Sequence, residues 1–179
     1  LQQEILRLVT LVENLQQLAK ADAAKAFLKQ EELFLPELIE QILAIYQPNL
    51  KAKNITVETQ FNPKAGQVVA DRDKLLQAIR NLIENACKYT PQDGKVTLAV
   101  ESLPKEVRVA FSNTGPGISK TDLPFIFERF FRTDRSRSRE AGGAGIGLAI
   151  VKELIEAHGG RVGAESSASE TRIWFTLPV

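Results

Sequence analysis

The sequence has no methionine, and only one cysteine, one histidine and one tryptophan. A lone Cys87 can close no disulfide within the chain, so a reducing, cytosolic setting is the default expectation. A lone His158 leaves one internal candidate for any chemistry that requires an imidazole. Charge of one sign is also missing: 23 lysines and arginines face 22 aspartates and glutamates. This balance argues against a surface built as a whole to hold nucleic acid or anionic lipid, and confines electrostatic specialisation to local patches. There is no run of eighteen apolar residues and no leader with charged, apolar and small-residue regions, so neither a membrane span nor a secretion signal is expected in the sequence as it stands. With no methionine, and with an apolar periodicity already running at Leu1, the sequence reads as a piece of a longer protein. Its 179 residues, 44% of them hydrophobic, suffice for one sizeable core.

Leu1, Ile5, Leu8, Val12, Leu15 and Ala19 recur at spacings of four and three, widened by Leu11 and Leu18. That is one helical stripe written in heptads. It serves either a helix packed on its own domain or half of a dimerising hairpin, and the sustained heptad favours the hairpin. After the alanine-rich link "ADAAKAFLKQEE", the domain proper starts near Glu31, with a short strand and a helix expected from near Pro36 to a stop before Pro48. "NITVETQF" and "QVVA" read as strands, followed by a long helix over 71–89. "KVTLAVES" and "EVRVAFS" read as an antiparallel hairpin turning at Leu103 to Lys105. A long loop from Asn113 to Gly143 precedes a helix over about 145–157, and "GRVGAES" and "TRIWFTL" close the chain as strands. The sum is an α/β (α+β) two-layer sandwich, its mixed, largely antiparallel sheet packed on helices.

Within "RNLIENACKYT", Leu75, Ile79, Leu82 and Ala86 form the apolar stripe, while Asn81, Asn85 and Lys88 share another face at i, i+4 and i+7. An asparagine oxygen suits magnesium, and a lysine suits phosphate; a solvated polar face is the alternative from this segment alone. Cys87, at the stripe's edge, reads as an inert small residue. Two glycine-rich segments, "NTGPGI" after a strand and "GGAGIGLAIVKEL" opening a helix, allow backbone to approach phosphate closely. Between them, "PFIFERFFRTDRSRSREAGG" carries Phe125, Phe127, Phe130 and Phe131, able to pin a loop on a core. It also carries Arg129, Arg132, Arg135, Arg137 and Arg139. Bracketed by both glycine motifs, this stretch reads as a lid over a triphosphate rather than a nucleic-acid patch. His158, followed by Gly159 and Gly160 at a helix end, reads as a C-terminal cap.

In this order, "NLIENACKY", "NTGPGI", "FERFFR" and "GAGIGLAI" resemble the N, G1, F and G2 boxes of the sensor histidine kinases of two-component systems. The resemblance runs from about residue 1 to 179. It implies a Bergerat-type ATP-binding domain over 31–179, preceded over 1–26 by the second helix of the dimerisation and phosphoacceptor hairpin. By this resemblance Asn85 holds Mg²⁺, and Asn81 and Lys88 reach the phosphates of ATP. Tyr89, Ile118, Phe130, Ile146 and Leu148 line the nucleotide pocket, and Gly115 and Gly117 shape its adenine side. Arg132 contacts the γ-phosphate, while Gly143, Gly145 and Gly147 let lid and helix close. The phosphate would pass to a histidine on the helix before Leu1, then to an aspartate of a response regulator, within a homodimer formed through the hairpin. The expected setting is cytoplasmic, with no direct membrane contact by this piece. ATPases of the same fold place a water-activating glutamate four residues before the metal-binding asparagine; Asn81 stands there instead, which favours phosphate transfer over hydrolysis. A serine kinase of the same superfamily, or a non-catalytic docking module, is the alternative. The box that usually opens with an adenine-binding aspartate opens here with Asn113. This predicts adenine binding weaker by about 1 kcal/mol and less discrimination against guanine.

Overall fold

The computed structural model describes residues 27–62, 64–133 and 145–179, together with Ile5, Val9, Val12, Glu13, Leu15, Gln16 and Ala19, each of these seven helical. The rest of the expected leading helix, with Leu1 and Leu8 of its stripe, lies outside the described residues, as do Gly143, Arg135, Arg137 and Arg139. The described elements run β1 (Gln30–Phe34), α1 (Leu35–Ala52), β2 (Thr56–Phe61), β3 (Gln67–Asp71), α2 (Arg72–Tyr89), β4 (Lys95–Ser102) and β5 (Glu106–Thr114). A 3-10 turn (Leu123–Phe125), α3 (Gly147–Ala157), β6 (Arg161–Ser166) and β7 (Glu170–Pro178) follow. No helix among the described residues is long and apolar enough to cross a membrane.

Strands in the order β2-β4-β5-β7-β6 form a five-stranded sheet, parallel between β2 and β4 and antiparallel elsewhere. β1 and β3 form a separate antiparallel ribbon. Period-two alternation puts Val96, Leu98 and Val100, Val107, Val109 and Phe111, and Ile173, Phe175 and Leu177 on one sheet face, all buried. They join one core with Ile39 and Ile42 of α1, Leu75, Ile79 and Leu82 of α2, and Ile150 and Leu154 of α3. Each such side chain contributes about 1.5–3 kcal/mol on burial, so the three helices are fixed over one face of the sheet. The expected sandwich with a largely antiparallel sheet is the observed one.

Two expectations fail. α1 does not stop before Pro48 but carries it inside the helix to Ala52. Pro48 forfeits one helical bond. However, Leu50 beyond it is only 2% exposed, and its carbonyl accepts from Ile55 N–H at 2.9 Å, so burial of the last turn offsets the loss. The long loop also begins later than expected. β5 extends through Thr114, with Asn113 registered between Val96 of β4 and Thr171 of β7.

Candidate nucleotide site

α2 begins at Asp71, whose carboxylate accepts from Lys74 N–H in the manner of an N-cap. Its apolar stripe is buried: Leu75 and Ile79 are 0% exposed, Leu82 2% and Ala86 5%. Helical spacing therefore leaves Asn81, Asn85 and Lys88 together, half-buried, along the helix edge. The Asn81 amide donates to the Gly147 carbonyl at 3.3 Å, joining this edge to the start of α3. Lys88 Nζ stands 4.9 Å over the ring of Tyr89, which is exposed. Glu84 lies on a different side: its carboxylate, together with burial, pushes the phenol of Tyr46 on α1 upward.

The "NTGPGI" segment leaves β5 at the other end of this edge. A Cβ on Gly115 would come within 3.0 Å of the Tyr89 carbonyl oxygen. Gly117 is required by contact, since a side chain there would overlap the carbonyl of Ser167. Gly115 N–H donates to Ser169 O at 3.0 Å and Ile118 N–H to Ser166 Oγ at 2.8 Å, so the turn between β6 and β7 holds the loop. Asn113 donates from Nδ2 to the Thr114 carbonyl at 3.1 Å.

On the α3 side, Gly145 has φ +71, and a Cβ would meet the Phe131 carbonyl oxygen at 2.6 Å. Glycine is needed there for both conformation and space. Phe130 N–H donates to the Gly145 carbonyl at 2.9 Å, which ties the two ends of the arginine-rich stretch together. Ile146 is 2% exposed and belongs to the core beside the site, while Gly147 and Leu148 are half-buried. Arg132 Nη2 is buried and has no hydrogen-bond partner among the described residues, an arrangement that suits an anionic oxygen. Arg129 pairs with Glu153 of α3 at 3.4 Å.

The four phenylalanines do not act as a set. Phe127 packs on the core, helped by Ile126, which is 7% exposed. Phe125 leans on Phe131 with ring centroids 5.9 Å apart, and Phe130 is 53% exposed. Aromatic content alone could not choose among them, because the turn at 123–125 decides which side faces inward.

His158 has the expected capping place, with Gly159 following at φ +76. Its Nδ1 lies 2.7 Å from the Leu154 carbonyl, and its Nε2 accepts from Asp71 N–H at 3.0 Å. Nδ1 therefore carries the proton and donates, and the imidazole bridges the end of α3 to the start of α2. It is 9% exposed and bonded through both nitrogens. Sequence reading missed this second bond, along with Ser166 and the role of Lys53 described below.

Three helices over one face of this sheet, with an asparagine-bearing helix edge between two glycine loops, define a Bergerat-type ATP-binding sandwich. Residues 70–179 match the family described as histidine kinase-, DNA gyrase B- and HSP90-like ATPase. The chain belongs to that family. It is 35% identical to the signal transduction histidine-protein kinase BaeS of Escherichia coli over 180 residues, covering 100% of this chain and 38% of that protein. Full-length ShkA in complex with AMPPNP superposes with a TM-score of 0.83 at 31% identity, covering 96% of this chain and 35% of ShkA. Histidine kinase ThkA, in complex with the response regulator protein TrrA, superposes at 0.79 with 27% identity, covering 99% of this chain and 48% of ThkA. The resemblance to sensor histidine kinases therefore holds, although the chain spans under half the length of each of these proteins.

Proposed function

We infer that this chain is the catalytic half of a histidine kinase, binding magnesium and ATP between the α2 edge and the arginine-rich stretch and passing the γ-phosphate to a histidine outside this sequence. The observation that carries the reading is the convergence on one helix edge: Asn81 bonded to Gly147 on one side, Gly115 against Tyr89 on the other, and Asn85 and Lys88 between them. Among the described residues no three histidine, cysteine, aspartate or glutamate side chains converge. By the resemblance Asn85 is the residue whose side-chain oxygen would hold magnesium, with phosphate and water oxygens as the other ligands. Bound there, the ion would neutralise charge on the β- and γ-phosphates.

A charge-assisted bond from Lys88 to phosphate is worth about 1.5–3 kcal/mol, more than the about 0.5–1 kcal/mol of its contact with the Tyr89 ring. Arg132 presents its buried Nη2 to the γ-phosphate. Asn113 Oδ1 accepts from the adenine amino group, and Tyr89, Ile118, Phe130 and Leu148 border the base and ribose. With Asn81 where an ATPase carries its water-activating glutamate, positioning and charge neutralisation do the work, and transfer outruns hydrolysis. His158, buried and bonded through both nitrogens, is no acceptor. The ThkA complex with a response regulator supports a receiver domain as the next partner.

The test is calorimetric titration of ATP with magnesium into this protein and its Asn85→Ala variant. Binding by the unaltered chain, weakened at least tenfold in the variant, is the expected result. Equal binding by both removes Asn85 from the metal. If neither binds, the pocket is disabled in this chain and the docking-module reading moves ahead.

A further inference from the structure

Lys53 follows α1, in a segment with no catalytic signal, yet its side chain crosses to the far end of α2. Its Nζ donates to the carbonyls of Cys87, Lys88 and Thr90 at 2.7, 3.2 and 3.0 Å. These are carbonyls that the end of a helix leaves without intrahelical donors, and a cation there also opposes the helix dipole. α2 stops abruptly at Thr90, whose backbone is extended and whose N–H donates to the Ala86 carbonyl rather than to these. The same two stretches are joined again beside Lys53. Asp93 N–H donates to the Lys53 carbonyl at 3.0 Å, Asn54 Nδ2 to Asp93 Oδ1 at 2.6 Å, and Thr56 N–H to the Gly94 carbonyl at 2.9 Å.

The last turn of α2 carries Lys88 and Tyr89, and Asn85 lies one turn before. A clamp on the Cys87 and Lys88 carbonyls fixes the backbone from which the phosphate-binding ammonium projects. We propose that Lys53 is a positioning residue for phosphate recognition, acting through the end of α2 without touching the nucleotide. The role rests on the nucleotide reading given above.

It is distinguished from plain structural support by the ratio of ATP to AMP affinity. Loss of stability alone weakens both nucleotides in proportion, whereas a displaced Lys88 penalises the triphosphate selectively. Lys53→Met keeps the stem and removes the donors. Titrated with each nucleotide in magnesium, it is expected to bind ATP about tenfold more weakly, the scale of one charge-assisted bond, with AMP affinity within about twofold. Lys53→Arg restores the ratio, because a guanidinium supplies the lost N–H donors. Amide exchange at residues 87–90, measured on the protein alone, rises in Lys53→Met and not in Lys53→Arg.

An unchanged ATP-to-AMP ratio in Lys53→Met, with tight binding by the unaltered protein, overturns the positioning role and leaves the kinase-domain reading standing. No ATP binding by the unaltered protein overturns both. If Lys53→Met does not fold, Lys53→Gln, whose shorter, neutral amide lacks the charge of the ammonium, carries the same comparison.

Discussion

At the scale of single residues, His158 and Asn113 show how a side chain's donor inventory decides its role. His158 uses both ring nitrogens inside the fold, so removing the imidazole strands a backbone donor at the start of α2. His158→Leu is expected to lose about 1–3 kcal/mol, the cost of leaving Asp71 N–H buried and unpaired, as read from urea denaturation. His158→Gln, which keeps an acceptor, should lose less; equal losses in both variants would show that volume rather than the bond matters. Asn113 is the opposite case, a neutral group where, on the proposed reading of the site, an acceptor faces adenine and the resemblance implies an aspartate. Thr114 engages one of its two amide hydrogens, leaving the second for the oxygen of a guanine and Oδ1 for the amino group of an adenine. Asn113→Asp should therefore tighten ATP binding about fivefold and reduce competition by GTP, both measurable by competition titration. Failure of GTP to compete with ATP in the unaltered protein, even at large excess, would remove the guanine half of the argument.

Secondary-structure elements depend on pairings that no single residue reveals. Arg161 on β6 reaches across β7 to Glu106 at the start of β5, with its Nη2 at 2.8 and 3.0 Å from the two carboxylate oxygens. This bond holds the Glu106 carboxyl below its ordinary value. A carboxyl lowered on folding contributes stability above its unfolded value, near about 4.3, and loses it as pH falls through the lowered folded value. Glu106→Gln should thus lower the melting temperature at pH 7 and converge with the unaltered protein in strong acid; a constant difference across that range would exclude the ion pair as its cause. The pair is also a measure of what could be read beforehand. Asn81, Asn85 and Lys88 were legible because a period of 3.6 residues is a local property, and β4 and β5 because only a short turn separates them. The β1–β3 ribbon, the parallel β2–β4 pair and the bond from Arg161 to Glu106 join segments separated by whole elements, and alternation says nothing about which strand lies beside which. Lys53 was missed for the same reason: its carbonyl partners lie 34 to 37 residues away. Pro48 misled because its local cost was visible and the burial of Leu50 was not.

For the molecule as a whole, the leading segment is the part whose apolar side chains the sandwich leaves exposed. Ile5, Val9, Val12 and Leu15 are 54, 48, 53 and 47% exposed, whereas the apolar side chains of α1, α2 and α3 largely enter the core. A second copy is the partner that the heptad spacing suits. The described heptad positions, Ile5, Val12 and Leu15, offer only a small contact, so a weak, concentration-dependent association with a dissociation constant of about 10 μM to 1 mM is expected rather than a permanent dimer. Sedimentation equilibrium over that concentration range should show mass rising with concentration. Val12→Asp should abolish the rise by placing an unpaired carboxylate in the contact, while ATP affinity, set by residues of the separate sandwich, stays within error. A protein that remains monomeric throughout would overturn the reading of this segment as a self-pairing helix. One whose ATP affinity falls with Val12→Asp would mean instead that the leading helix touches the nucleotide-binding unit directly.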